Sequence, residues 1–240
     1  MTLPAHGFRI TPAKLVAAGL CCWLGVLAVA WALHSGHAQG LDRAGLLFWR
    51  DDTLQPSGSP SLLETVRDVT ALGGVLLRNL FAVGAVVALL FLRLRREAAL
   101  MVLTVASGWA VNSALKGLVG RPRPQIVPHL MEAGGNSFPS GHSFNAAVVY
   151  IAMALAFAAL SKRPAVRRTV IGTAMALSLA IAWSRVWLGV HWPTDVIAGW
   201  LGGAGWAFLA AALLPRPARM TAAALEEVIG SPAPAPEPKR

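Results

Sequence analysis

Charge is scarce in this 240-residue chain: only 13% of its residues are Asp, Glu, Lys or Arg, about half the roughly 25% usual in a soluble domain. With 55% hydrophobic residues, a water-facing surface could not be covered, which excludes an ordinary soluble globular protein. Acids are scarcer than bases, 11 against 21, and leave a formal net charge of +10. That excess does not make a nucleic-acid binder, because the bases form no contiguous face interleaved with aromatics. Cysteine is nearly absent. Cys21 and Cys22 are adjacent, a spacing that excludes a disulfide framework and reads as apolar filler. No internal repeat occurs.

What the chain has instead is a series of apolar runs near the length of about 20 residues needed to cross a bilayer. Six spans are predicted, over 15–33, 72–92, 98–115, 144–160, 169–183 and 196–214, the fifth short unless 184–187 continue it. The first reads as an uncleaved anchor, since its apolar length exceeds a signal-peptide core. The basic residues collect in the turns 93–97 and 161–168, near the N-terminus at Arg9 and Lys14, and after the last run at Arg216 and Arg219. Short basic loops stay inside, and an even count satisfies all four positions at once. The expected organisation is a cytoplasmic N-terminus (1–14), a six-helix all-α membrane domain (15–214), and a partly disordered cytoplasmic tail (215–240) rich in Pro and Ala. Segments 34–71, 116–143 and 184–195 then fall on the outer side. In the first of these, Ser61 and Glu64 resemble a capping box, followed by Leu62, Val66 and Val69 at helical spacing, which predicts a short interfacial helix.

Three polar clusters sit at helix ends on that outer side, where spanning alone does not require them. Lys116 ends the third run, and Arg123 with Pro124 follows seven residues later in KGLVGRPRP. The two offer a point charge and a planar fork, both suited to phosphate oxygens. Pro139-Ser140-Gly141-His142 immediately precedes the fourth run. A glycine at a helix start lets unpaired N–H groups approach an anion. Ser184-Arg185, then His191, then Asp195 close the set, with Pro193 suited to a first helical turn. A carboxylate near an imidazole holds one tautomer and makes the other nitrogen a better nucleophile or base. Singly these read as a headgroup-binding cap, a helix start and a structural His–Asp pair. Together they place three cations, two histidines, one carboxylate and a glycine turn on one membrane face, as phosphoryl chemistry demands.

The clusters resemble the three signature motifs of the type 2 phosphatidic acid phosphatase family, whose superfamily includes the vanadium-dependent haloperoxidases. The patterns K-x6-RP, PSGH and SR-x5-H-x3-D are filled at every specified position between Lys116 and Asp195. The resemblance implies a helical bundle and a membrane lipid phosphatase. His191 would be the nucleophile that forms a phosphohistidine, Asp195 its orienting partner, and His142 the proton donor. Lys116, Arg123, Ser140, Gly141 and Arg185 would hold the phosphoryl group. The family needs neither a cofactor nor a divalent metal, and the outer acids form no evident metal cage. The implied partner is a phosphorylated membrane lipid, with undecaprenyl diphosphate, phosphatidylglycerol phosphate, phosphatidic acid and lipid A phosphate as candidates, in a bacterial plasma membrane.

Other readings remain open on these residues. A phosphotransferase would carry the same motifs and differ only in its acceptor. A non-catalytic lipid transporter on this fold would be expected to lose His142, His191 or Asp195. A haloperoxidase would need bound vanadate, and its relatives are soluble. Arg78, inside the second run, either reaches a substrate headgroup or snorkels to the interface; snorkelling is the favoured reading.

Overall fold

The computed structural model describes residues 11–213, and these form eight α-helices with no strand. They are α1 (Pro12–His34), α2 (Gln39–Leu47), α3 (Pro60–Leu72), α4 (Val75–Phe91), α5 (Arg95–Val119), α6 (Gly141–Leu160), α7 (Pro164–Trp187) and α8 (Pro193–Ala212). The expected tail (215–240) and residues 1–10 of the N-terminal segment (1–14) lie outside the described residues.

Five helices are long and apolar enough to cross a membrane. The sixth expected span is α4, joined to α3 through a 46° bend at Gly73 and Gly74. It therefore starts at Val75 and not at residue 72. The fifth span does continue through 184–187, to Trp187, and it also begins earlier, at Pro164. Proline explains several of these starts. Pro12, Pro60, Pro164 and Pro193 each occupy a first helical turn, where the missing N–H costs nothing and φ is already helical. The basic turns are correspondingly tighter than the sequence predicts, since Arg95 and Arg96 fall in the first turn of α5, and Arg167 and Arg168 fall inside α7.

The outer segment folds as two short helices. The expected interfacial helix is α3, but its cap is Ser59, whose hydroxyl accepts from Leu62 N–H at 3.3 Å. Ser61 lies within the helix and Glu64 pairs with Arg67 at 3.2 Å, so no capping box forms. The second short helix, α2, has no clear sequence signal.

α6 is the hub, packed against α4, α5, α7 and α8. Lipid tails are as apolar as leucine, so helices in a bilayer associate by close packing, and small residues permit it. Gly199, Gly202 and Gly203 of α8 supply that closeness: a Cβ on Gly199 would lie 2.7 Å from the Ser140 carbonyl oxygen, and one on Gly202 the same distance from the Phe144 ring. The start of α6 is thus pressed onto the start of α8, where His142 and Asp195 reside. α1 lies outermost against α8, with Cys22 packed beside Gly205 and both cysteines free.

Candidate active site

The site forms at one end of the bundle, from the last turn of α5, the loop to α6, the first turn of α6, and the α7–α8 junction. Gly120, at φ +61°, ends α5 in the left-handed conformation that suits glycine. Arg121 and Arg123 follow, each immediately before a proline, which restricts both to extended backbone. Successive side chains in an extended chain point to opposite sides, and residues two apart share a side in a regular strand. In this irregular segment the two arginines diverge.

Arg123 turns to the second histidine. Its Nη1 donates to Val190 O at 2.7 Å and meets His191 Nε2 at 3.1 Å, while Nε and Nη2 donate to the carbonyls of Gly135 and Gly134. A guanidinium has no acceptor, so His191 Nε2 must present its lone pair and Nδ1 must carry the ring proton. Nδ1 in turn meets Ser137 Oγ at 3.2 Å, and Ser137 donates to Asp195 Oδ2 at 2.5 Å. The direct distance from His191 Nδ1 to Asp195 Oδ2 is 3.5 Å. The Asp195 carboxylate therefore reaches the imidazole chiefly through an interposed serine, which the sequence did not indicate. Burial pushes the His191 imidazole down to about 3, with Asp195 opposing the shift and Arg123 adding to it. The ring is neutral at physiological pH, as its tautomer requires.

Arg121 turns the other way, to the rear of Asp195. Its Nη1 donates to Asp195 Oδ1 and its Nη2 to Asp42 Oδ2, both at 2.6 Å, and its guanidinium lies 5.2 Å over the Trp192 ring. Asp42, from α2, also accepts from Thr194 N–H at 2.9 Å and Thr194 Oγ1 at 2.8 Å. Asp195 further accepts from Trp192 N–H at 3.0 Å, a bond that closes the first turn of α8. Both carboxylates are buried, and a buried charge is tolerated only when paired and hydrogen-bonded.

The remaining predicted residues converge on the same end. Lys116 donates to Asn136 O at 2.6 Å, tying α5 to the loop ahead of Ser137. Arg185 is buried; its Nη1 donates to Thr70 Oγ1 of α3 at 2.9 Å and meets Met131 Sδ, while its Nε has no partner. Ser140 is the N-cap of α6, with its hydroxyl engaged by Ser143 and its N–H donated to Asp195 O at 2.9 Å. The N–H groups of Gly141 and His142 lie in that first turn, with no carbonyl within the helix to reach. The His142 ring packs on Gly73, where an added Cβ would lie 3.3 Å from Cδ2. Among the described residues no group of three or more His, Cys, Asp or Glu side chains converges as metal ligands do.

A family model described as the PAP2 superfamily matches residues 97–219. The chain belongs to the PAP2 superfamily. Phosphatidylglycerophosphatase B of Bacillus subtilis (strain 168) is 34% identical over 185 residues, covering 72% of this chain and 83% of that protein. A lipid A 1-phosphatase of Rhizobium etli is 36% identical over 120 residues, 46% of this chain and 47% of the relative. Among solved structures, the transmembrane PAP2-type phosphatidylglycerolphosphate phosphatase from Bacillus subtilis superposes with a TM-score of 0.70 at 30% identity, covering 80% of this chain and 93% of that one. This PAP2 protein is a multi-pass membrane protein and a hydrolase of the phosphatase type.

Sequence reasoning missed four members of the site: Ser137, Arg121, Asp42 and Thr194. Arg121 carried a signal in its place beside the motif arginine, in an RPRP run. Asp42 lies 79 residues from Arg121 and 152 from Thr194, and nothing local marks it. Arg78 does not snorkel, being only 7% exposed; its guanidinium faces the bend between α3 and α4.

Proposed function

We propose that this PAP2 protein hydrolyses a phosphate ester or diphosphate of a membrane lipid through a phosphohistidine on His191, at the outer membrane face. The observation that carries the reading is the fixed tautomer of His191, with Nε2 unprotonated beside Arg123 and Nδ1–H held toward Ser137 and Asp195. A neutral, oriented imidazole in a site of arginines is an activated nucleophile facing an anion.

In this reading Nε2 forms a bond to phosphorus as the bond from phosphorus to the lipid oxygen breaks. His142 gives its proton to the departing oxygen. It then takes a proton from a water that cleaves the P–N bond, releasing inorganic phosphate and restoring His191. Asp195 stabilises the charge that develops on the ring, through Ser137. The Arg123 N–H that now meets Nε2 is positioned to bond a phosphoryl oxygen once phosphorus arrives there. Arg185 Nε, buried without a partner, gains one, and Lys116 and the N–H groups of Gly141 and His142 complete the cradle. Ser140 contributes by capping α6 and locking it to Asp195.

The names of the relatives support a substrate of the phosphatidylglycerol phosphate or lipid A phosphate type, and the motif resemblance adds undecaprenyl diphosphate and phosphatidic acid. The basic turns at the opposite end of the bundle support an outward-facing site, with cytoplasmic termini flanking a catalytic domain over 15–214. The test is phosphate release from a panel of these lipids in excess EDTA, with His191→Ala as the control, and trapping of an acid-labile phosphoprotein from labelled lipid. Turnover and label should both vanish in the variant. Substantial residual hydrolysis would remove His191 as nucleophile, and a loss in EDTA restored by magnesium would contradict the mechanism. A C-terminal reporter that reads outside would reverse the orientation.

A further inference from the structure

We infer that Arg78 binds a second phosphate carried by the leaving group, which makes the protein selective for lipids bearing two phosphates over lipids bearing one. The inference rests on the proposed reading in which His142 faces the departing oxygen.

Arg78 lies in the first turn of α4, inside a helix that is otherwise apolar apart from Asn79. An ionisable side chain within a span is costly and is retained for a reason. Snorkelling is not that reason, since Leu76 and Leu80 on the same helix are 79% and 62% exposed while Arg78 is buried. A structural tie accounts for it only weakly. Nη1 reaches Gly73 O at 3.4 Å, and Nε and Nη2 reach Asn79 Oδ1 at 3.4 and 3.3 Å. These bonds are beyond the usual 2.7–3.2 Å range for N–H donors, and both acceptors are neutral. The ion pairs among the described residues leave this guanidinium without a carboxylate. The acidic partner that a buried cation needs is missing from its surroundings.

The location says which part of a substrate would supply it. Arg78 Nη1 lies 3.4 Å from the carbonyl oxygen of Gly73, and the His142 ring packs against that same residue. The guanidinium is therefore grouped with the proton donor, whereas Arg123 is grouped with the nucleophile. Three cations, Lys116, Arg123 and Arg185, already serve the phosphoryl group under attack. A fourth beside His142 suits negative charge on the departing side. When an alcohol departs, its oxygen needs a proton and no further cation. When a phosphate departs, its oxygens are already ionised and gain charge as the bridging bond breaks, which a guanidinium fork stabilises. The apolar outer surface of α4 beside Arg78 offers room for the attached lipid tail.

Two sources share this chemistry. In an isoprenyl diphosphate the second phosphate bridges directly to the one attacked; in phosphatidylglycerol phosphate it is a diester one glycerol away. The experiment measures kcat/KM of the native protein and of Arg78→Gln on two matched pairs in detergent. These are farnesyl diphosphate against farnesyl monophosphate, and phosphatidylglycerol phosphate against phosphatidic acid. The ratio within a pair, two phosphates over one, should fall about tenfold or more in the variant, as expected for a charged hydrogen bond lost in the transition state. A fall in the isoprenyl pair identifies a diphosphate substrate, and a fall confined to the glycerolipid pair identifies the distal diester. Arg78→Lys, which keeps the charge, should retain part of the ratio and controls for misfolding. Unchanged ratios in both pairs, whether or not overall activity drops, would overturn the inference while leaving the phosphatase reading intact. Failure of the native protein to release phosphate from all four lipids would overturn that reading, and this inference with it.

Discussion

Replacing Arg121 with Gln removes one cation from between two buried carboxylates. Asp195 and Asp42 are 0% and 1% exposed, and each gives Arg121 a 2.6 Å ion pair. Breaking a buried pair by removing one partner costs roughly 3–5 kcal/mol, because the other charge is left uncompensated. The Arg121 side chain is itself 17% exposed, so water can enter and the low end, about 3 kcal/mol, is the better expectation. For a domain of this size that corresponds to a fall of roughly 6–12 °C in Tm. Activity should fall as well. Asp195 would keep Ser137 and Trp192 but lose the contact that fixes its other oxygen, and a shift of about 1 Å in a positioned group can cost about 10²-fold in kcat. Thermal unfolding and phosphate release in the same detergent measure the two effects. The decisive comparison adds Asp42→Asn. Once Arg121 is gone, removing the Asp42 charge should recover part of the lost stability, a non-additivity of about 0.5–3 kcal/mol, without restoring kcat. Additive losses, or an Arg121→Gln protein with native Tm, would refute the idea that α2 clamps Asp195.

Ser137→Ala leaves His191 and Asp195 with only their 3.5 Å approach, so kcat should fall about 10–10²-fold as a hydrogen bond to a charged group is lost; a native kcat would show that the serine is not the link. Gly189, two residues before His191, has φ +75°, and a Cβ there would lie 2.7 Å from Pro128 O. Gly189→Ala should therefore lower both Tm and kcat, at about 1–2 kcal/mol for the left-handed conformation alone, whereas Gly172→Ala, in open space, should lower neither. The pH response follows from His191, whose imidazole sits at about 3 in the fold against about 6.5 in an unfolded chain. Between those values the unfolded chain binds a proton that the folded one does not, so stability decreases as pH falls through that window. His191→Gln should lose less Tm than the native protein on going from about pH 7 to about pH 4; equal losses would contradict the neutral, buried ring.

The amino-acid sequence by itself determined the membrane class, the six apolar segments and the residues of the three motifs, because each is a local property. Hydropathy over about 20 residues is set by composition, and prolines and glycines mark where helices begin and end whatever they pack against. The motif residues were legible because they cluster within short spacings beside those ends. Only the tertiary structure decided how they are wired. Ser137 stands between His191 and Asp195, and Asp42 reaches Arg121 and Thr194, through contacts that separate in sequence by tens of residues and leave no periodic trace. The missing Cβ of Gly73 likewise leaves room for Ile181 and His142 at the bend between α3 and α4, and Arg78 lies buried beside it, where hydropathy alone would have sent it to the interface. In a bilayer a polar side chain must find its partner within the protein, and which partner is near depends on how the helices pack.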